Sequence, residues 1–293
     1  MPTDLYGGKV VKPFLGRIVL KKLAGSGPLA VGTLVVIAHG AAFGRDPENN
    51  AYFTGVNGSG SVSGDAPGKY TPSLTISAVL KANFWTANFV ASAILATDAN
   101  GDSDTWAILL DDGFGTEVYD GAKFAGLRVQ SNAQGGGKVL TLAALAMYGP
   151  GKNDGSIFAA TTFASTSVPG GQVLDVTKTT YGGTADLVAG VDVNFVRPQG
   201  YVYYEDNTRH PLGIASGIFT GSAMITQSLK YASSWNTSGT LNIGSTGAGV
   251  SMAFLVKRDE DVSDMTIANR YKQRTYSLYD SSTGGMPVAV SAM

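Results

Sequence analysis

A thirteen-residue stretch recurs in this chain, and the recurrence constrains the fold more than any other feature. Gly64–Ile76, "GDAPGKYTPSLTI", returns 149 residues later as Gly213–Ile225, "GIASGIFTGSAMI". Six positions are identical: Gly64/Gly213, Ala66/Ala215, Gly68/Gly217, Thr71/Thr220, Ser73/Ser222 and Ile76/Ile225. Tyr70 against Phe219 keeps an aromatic. Two further blocks keep the same order. Trp106–Asp112 meets Ala253–Asp259, and Phe124–Met147 meets Tyr271–Met293, both at an offset of 147. These offsets predict a tandem duplication, with modules at 1–150 and 151–293. The join is expected in Tyr148–Ser156, "YGPGKNDGS", where Gly, Pro, Asn and Asp interrupt periodic structure.

The residues between turns read as strands. There are 39 glycines in 293 residues, so turns are frequent and strands short. In Asp186–Val196, Leu187, Ala189, Val191, Val193 and Phe195 alternate with polar Asp186, Asp192 and Asn194. A period of two sends these sets to opposite faces of a sheet. Gly126–Ser131 alternates in the same way. Lys138–Tyr148 and Gly32–Gly40 are apolar on both faces, which predicts central or doubly covered strands. One helix per half is expected. Leu80, Phe84, Ala87, Ala91 and Ile94 recur at helical spacing. Met265, Ala268 and Tyr271 suggest a shorter turn after Ser263 as N-cap. Ala41–Gly64 reads as a long loop or an extended hairpin.

Charge and composition exclude several classes. Apolar residues make up 44% of the chain, enough for a core. Net charge is −1, and the halves hold 11 basic with 11 acidic and 10 basic with 11 acidic residues. No Lys/Arg run is present to neutralise phosphates, so any DNA is not gripped by charge. There is no cysteine, hence no disulfide and no thiolate metal site. No apolar run approaches the length of a membrane helix. The first residues lack the pattern of a secretory signal, so synthesis and folding in the cytoplasm are expected.

Candidate chemistry is sparse. His39 and His210 are the two histidines, and neither stands in a nucleophile–base motif. Asp98, Asn100, Asp102 and Asp104 alternate in "DANGDSD" like calcium ligands. Gly101 comes too early for an EF-hand, however, and Asn-Gly is itself a turn signal. "DEDVSD", Asp259–Asp264, reads as a helix start or as a patch for a basic partner. Tyr201, Tyr203 and Tyr204 offer rings for sugar stacking or for packing across a sheet. No catalytic, cofactor-binding or metal residue is assigned. The expectation is a non-enzymatic structural or binding protein without cofactors.

Two sets of segments carry a resemblance. "GVNGSGSVSGDAPGKYTPSLTISAVL" (Gly55–Leu80) and "YDGAKFAGLRVQSNAQGGGKVLTLAALAMYG" (Tyr119–Gly149) do so in the first half, and Asp186–Leu229 in the second. The chain resembles the tail tube proteins of long-tailed bacteriophages, in their larger, duplicated form. The resemblance is one of pattern and omits the arm up to Phe14.

It implies a mainly β fold, with two tandem β-sandwich or half-barrel modules, each with a short flanking helix. Subunits would close into rings around an inner β-barrel, and the rings would stack into the conduit for genome ejection. With a duplicated fold, trimeric rings of pseudo-sixfold symmetry are expected, with hexameric rings as the alternative. Partners would be the chain itself, then tape measure, tail tip and terminator proteins, with DNA passing non-specifically and no membrane. Localisation would be the virion tail. Two alternatives stay open: another virion β-protein, such as a capsid decoration or filament subunit, and a carbohydrate-binding β-sandwich using Tyr201–Glu205.

Overall fold

The structure, a computed structural model, describes residues 17–38, 42–46, 49–53, 65–111, 116–132, 138–149, 158, 180–181, 188–204, 210–228, 239–245, 248–254, 256–264, 271–278 and 288–292. These residues are mainly β, and every strand pair is antiparallel. The first strands are β1 (Arg17–Ala24), β2 (Leu34–Ala38), β3 (Ala42–Asp46), β4 (Asn49–Phe53), β5 (Asp65–Tyr70) and β6 (Ser73–Val79). One short helix, α1 (Ala87–Val90), continues as a π-helical stretch over Ala91–Leu95. Then come β7 (Thr105–Asp111), β8 (Thr116–Asn132), β9 (Val139–Leu145), β10 (Thr180–Tyr181), β11 (Val188–Val196), β12 (Gln199–Val202) and β13 (Gly213–Ser216). The chain closes with β14 (Thr220–Ser228), β15 (Gly239–Ser245), β16 (Ala248–Phe254), β17 (Val256–Asp264), β18 (Tyr271–Leu278) and β19 (Val288–Ala292).

Eleven of these strands form one sheet, and β8 is its branch point. β9 runs along one edge of β8, while the other edge is shared. β7 takes Thr116 to Ala122, and β11 takes Gly126 to Asn132. A 17-residue strand can serve both neighbours because it bends. Its register with β7 shifts around Gly121, which has φ +62, and its register with β9 shifts between Phe124 and Gly126. Such bulges add twist and redirect a strand. A Cβ on Gly121 would lie 3.0 Å from the Met147 side chain, so this corner has no room for one.

Around β8 the order of strands repeats. One array runs β3-β6-β9-β8, the next β11-β14-β18-β17, and β8 pairs with β11 where they meet. In each array an inner hairpin leaves the sheet as a two-stranded ribbon, β4-β5 in the first and β12-β13 in the second. The registers correspond as well. Phe43 faces Ile76 and Val191 faces Ile225, while Phe53 faces Asp65 and Tyr201 faces Ile214. The segments expected at 1–150 and 151–293 therefore share one sheet. They also share one core, to which β15 and β16 add Leu241, Ile243, Val250 and Met252.

Alternation explains why this sheet has a dry and a wet side. Leu74, Ile76, Leu127, Val129, Leu140, Leu142, Val191, Val193, Phe195 and Ile225 are buried. Between them stand Thr75, Arg128, Gln130, Thr141, Asp192, Asn194 and Thr226, none of them buried. α1 packs on the dry side. Thr86 caps it by accepting a hydrogen bond from the Phe89 N–H, and Phe84, Phe89, Trp106 and Phe124 stack edge to face in sequence. Trp85 donates to the Ile243 carbonyl at 3.1 Å and ties the four-stranded sheet β10-β15-β16-β19 to the helix. A fully buried side chain of this size contributes about 1.5–3 kcal/mol.

Several sequence expectations are met and others corrected. Val188–Val196 and Gly126–Ser131 alternate as anticipated where their side chains are described, and Lys138–Tyr148 holds the central strand β9. Gly32–Gly40 contains an outer strand, β2, whose Val36 packs on a second small cluster of Val19, Ala107, Leu109 and Phe158. The ends of the second expected helix are strand and not helix. Ser263 pairs with Lys272, and Tyr271 opens β18, because both lie in the β17-β18 ladder. Met265 and Ala268 lie outside the described residues. Ala41–Gly64 supplies β3 and β4. Most of Tyr148–Ser156 is outside the described residues, though Tyr148 bridges to Asp120. Among the described residues no helix is long and apolar enough to cross a membrane.

Candidate functional site: the seam between the two strand arrays

A dense set of polar contacts among the described residues lies where the second array meets the first. On the wet face, the Arg128 guanidinium grips Asp192 through Nε at 2.8 Å and Nη2 at 2.5 Å, and Gln130 donates to the same carboxylate at 3.0 Å. The hydrogen bond from Arg128 holds the Asp192 carboxyl below its ordinary range and raises the guanidinium in turn. The face therefore carries a neutralised ion pair among small hydroxyl and amide side chains.

The foot of the β12-β13 hairpin is fixed to the first half by side chains of the "DANGDSD" turn. Gln199 donates to the Ser103 hydroxyl and to the Phe124 carbonyl, both at 3.1 Å. Ser216 donates to Gln199 Oε1 at 2.9 Å, and its own hydroxyl accepts from the Ser103 N–H at 3.1 Å. Asp102 accepts from Lys123 Nζ at 2.9 Å and from the Ser216 N–H at 3.3 Å. The lysine hydrogen bond holds the Asp102 carboxyl low, against the opposing effect of burial. Arg197, beside the hairpin, donates to the Leu95 and Ala96 carbonyls that the helix leaves unpaired at its end. Burial pushes its guanidinium down, and Asp104 opposes that shift.

The hairpin's outer part reaches the β5–β6 corner. Tyr201 donates to the Pro72 carbonyl and Tyr203 to the Tyr70 carbonyl at 2.6 Å. Lys69 Nζ sits 5.1 Å from the Tyr203 ring centroid and donates to the Tyr204 carbonyl at 3.3 Å. Burial raises the Tyr203 phenol above its ordinary range. His210 stacks edge-on against Tyr70 at 4.9 Å and tilted against Tyr148 at 5.3 Å.

Below the seam, Lys22 Nζ and Asp104 Oδ2 form an ion pair at 2.6 Å with both side chains at 0% exposure. Lys22 also donates to the Gly27 carbonyl at 2.7 Å, and Asp104 Oδ1 accepts from the Gly27 N–H at 3.1 Å. Ser92, from the π-helical stretch, accepts from Leu29 N–H at 3.0 Å. The β1–β2 connection is thereby pinned to the helix and to the start of β7.

The sequence candidates are thus distributed rather than gathered. Asp98 accepts from the Asn100 and Asp102 N–H groups, while Asp102 and Asp104 each hold a lysine. Among the described residues no group of three or more His, Cys, Asp or Glu side chains is placed to hold a metal ion. Asp259–Asp264 lie in β17, a strand and not a helix start, because the segment pairs along β18. The hydroxyls of Tyr201 and Tyr203 are committed to main-chain carbonyls, and Tyr204 is exposed. His39 lies outside the described residues. Sequence reading missed Arg128, Gln199, Arg197 and the Lys22–Asp104 pair. Only the polar positions of the alternating strands hinted at the first of these. No protein-family model matches the chain, and no curated protein matches it.

Proposed function

We propose that this protein is a self-assembling structural subunit of a tube wall, of the phage tail tube type, built from two tandem modules. One observation carries the reading: two strand arrays of the same order join edge to edge through β8 and β11 within one chain. Among the described residues β3 pairs only with β6, and β17 only with β18. The end strands of the double array thus each present an edge, and an unpaired edge is a template for another chain. Pairing β17 of one copy with β3 of the next repeats the internal seam. Carrying over its register sets Ser263 opposite Arg45 and brings that arginine to an acidic strand. Contacts of this head-to-tail kind close into a ring where the rotation allows. Three chains would then supply six arrays.

The wet face suits the inside of such a wall. Thr75, Thr141, Asn194 and Thr226 carry no charge, and the Arg128–Asp192 pair is neutral overall. A neutral lumen gives passing DNA no cationic surface on which to exchange counterions.

Because the chain has no cysteine, single-cysteine proteins test the seam cleanly. Ser263→Cys and Arg45→Cys proteins, mixed and oxidised, are expected to give a disulfide-linked dimer that neither forms alone. Assembled particles without that heterodimer would contradict the proposed pairing.

A further inference from the structure

Ile218 is the most exposed large hydrophobic residue among those described, at 84%. In the repeated stretch it stands where Lys69 stands 149 residues earlier. Lys69 is partly covered: the Tyr203 ring lies under its ammonium, and it bonds the Tyr204 carbonyl of the segment leaving β12. The same corner position is therefore occupied in the first array, by the hairpin of the second, and bare in the second array. What differs is that no third array follows among the described residues.

We infer that the corner Gly217–Thr220, centred on Ile218, is the docking site for the β4-β5 hairpin of the next copy of this chain. This rests on the tube reading and names the contact that accompanies its strand seam. The directions agree. The internal seam sets β11 on β8 and places the hairpin that follows β11 on the preceding β5–β6 corner. A seam setting β3 of the next copy on β17 places the hairpin that follows β3 on the β13–β14 corner. The chemistry also agrees. Register puts Phe53 at the β4 position that Tyr201 holds in β12, each opposite the first residues of the returning strand. In the internal junction Tyr203 lies over Lys69 and stacks on Tyr201, with ring centroids 6.0 Å apart. Between copies Phe53, at the Tyr201 place, is the aromatic next to that position and brings an apolar ring without a hydroxyl beside the exposed Ile218.

The test uses full-length single-cysteine proteins and a short bismaleimide. Ile218→Cys mixed with Phe53→Cys is expected to give a bridged dimer under assembling conditions, well above the yield of Val31→Cys with Phe53→Cys. Val31 is also exposed but lies in the β1–β2 connection. Ile218→Asp is expected to leave the monomer folded, by circular dichroism, and to abolish the assembled peak in size-exclusion chromatography. If the Ser263–Arg45 disulfide forms while the Ile218–Phe53 bridge stays at control yield, or Ile218→Asp assembles normally, the docking inference alone is overturned. If neither link forms and the wild type never assembles, both it and the tube reading fall.

Discussion

Arg128 on β8 and Asp192 on β11 meet across the internal seam through two hydrogen bonds, Nε to Oδ1 at 2.8 Å and Nη2 to Oδ2 at 2.5 Å. Half of the guanidinium side chain is exposed, so the pair is screened and contributes under about 1 kcal/mol to folding. Its geometry does more than its energy, since a bidentate fork fixes register. Arg128→Ala is expected to lower the urea midpoint only slightly while increasing amide exchange along β11.

Acidification should act through the same carboxylates. Asp192 and Asp102 are both held below their unfolded range, the first by Arg128 and the second by Lys123. A depressed carboxylate contributes stability that is present above its unfolded value, about 3.9, and lost as pH falls through the folded value. Stability is therefore expected to be flat from neutrality to about pH 5 and to decline below about pH 4. Asp192→Asn with Asp102→Asn should flatten that decline in a urea series at each pH.

The Lys22–Asp104 pair is a different case, because both groups are fully buried. Removing one partner leaves a charge without compensation, a cost of about 3–5 kcal/mol. Asp104→Ala is expected to lower the thermal midpoint far more than Arg128→Ala. Gly25→Ala should do comparable damage: Gly25 has φ +119, and an added Cβ would fall 2.0 Å from Asp104 Oδ1. Scanning calorimetry separates the two classes of variant.

Much of the fold was legible because it is local. The period-two pattern of Val188–Val196 and Gly126–Ser131 is a property of single strands, and both faces follow from it. The corner repeated at Gly64–Ile76 and Gly213–Ile225 marks equivalent places in the two arrays. Partner choice was not legible. The offset of 147 aligned Tyr271–Met293 with the β8–β9 hairpin, yet Tyr271–Leu278 pairs with β14 and β17, while Val288–Ala292 pairs with β16. The pairing counterpart of β8-β9 is β17-β18, which the Gly-rich turns had masked. Trp106–Asp112 was matched to a stretch that spans the end of β16 and the start of β17. Ser263 and Tyr271 looked helical because three apolar spacings fit a helix as well as a strand end. The seam's side chains were hidden for a related reason. Gln199 meets Ser103 across 96 residues of chain and Ser216 meets Asp102 across 114, separations that no local pattern reports.

Tyr203 offers an alkaline counterpart. Its phenol is raised by burial, so the protonated form is favoured in the folded protein. That contribution is fully present below the unfolded value, about 10, and is lost as pH rises through the folded one. Tyr203→Phe removes the bond to the Tyr70 carbonyl, at a cost of about 1 kcal/mol. It should also delete a late step from the ultraviolet titration of the 13 tyrosines.

The central claim is that the internal seam is repeated between chains. Electron microscopy of the purified protein, imaged across a range of concentrations, tests it most directly. Closed rings or stacked tubes with a central hole, showing twice as many wall units as chains, are the expected result. Compact monomers under all of these conditions would contradict it.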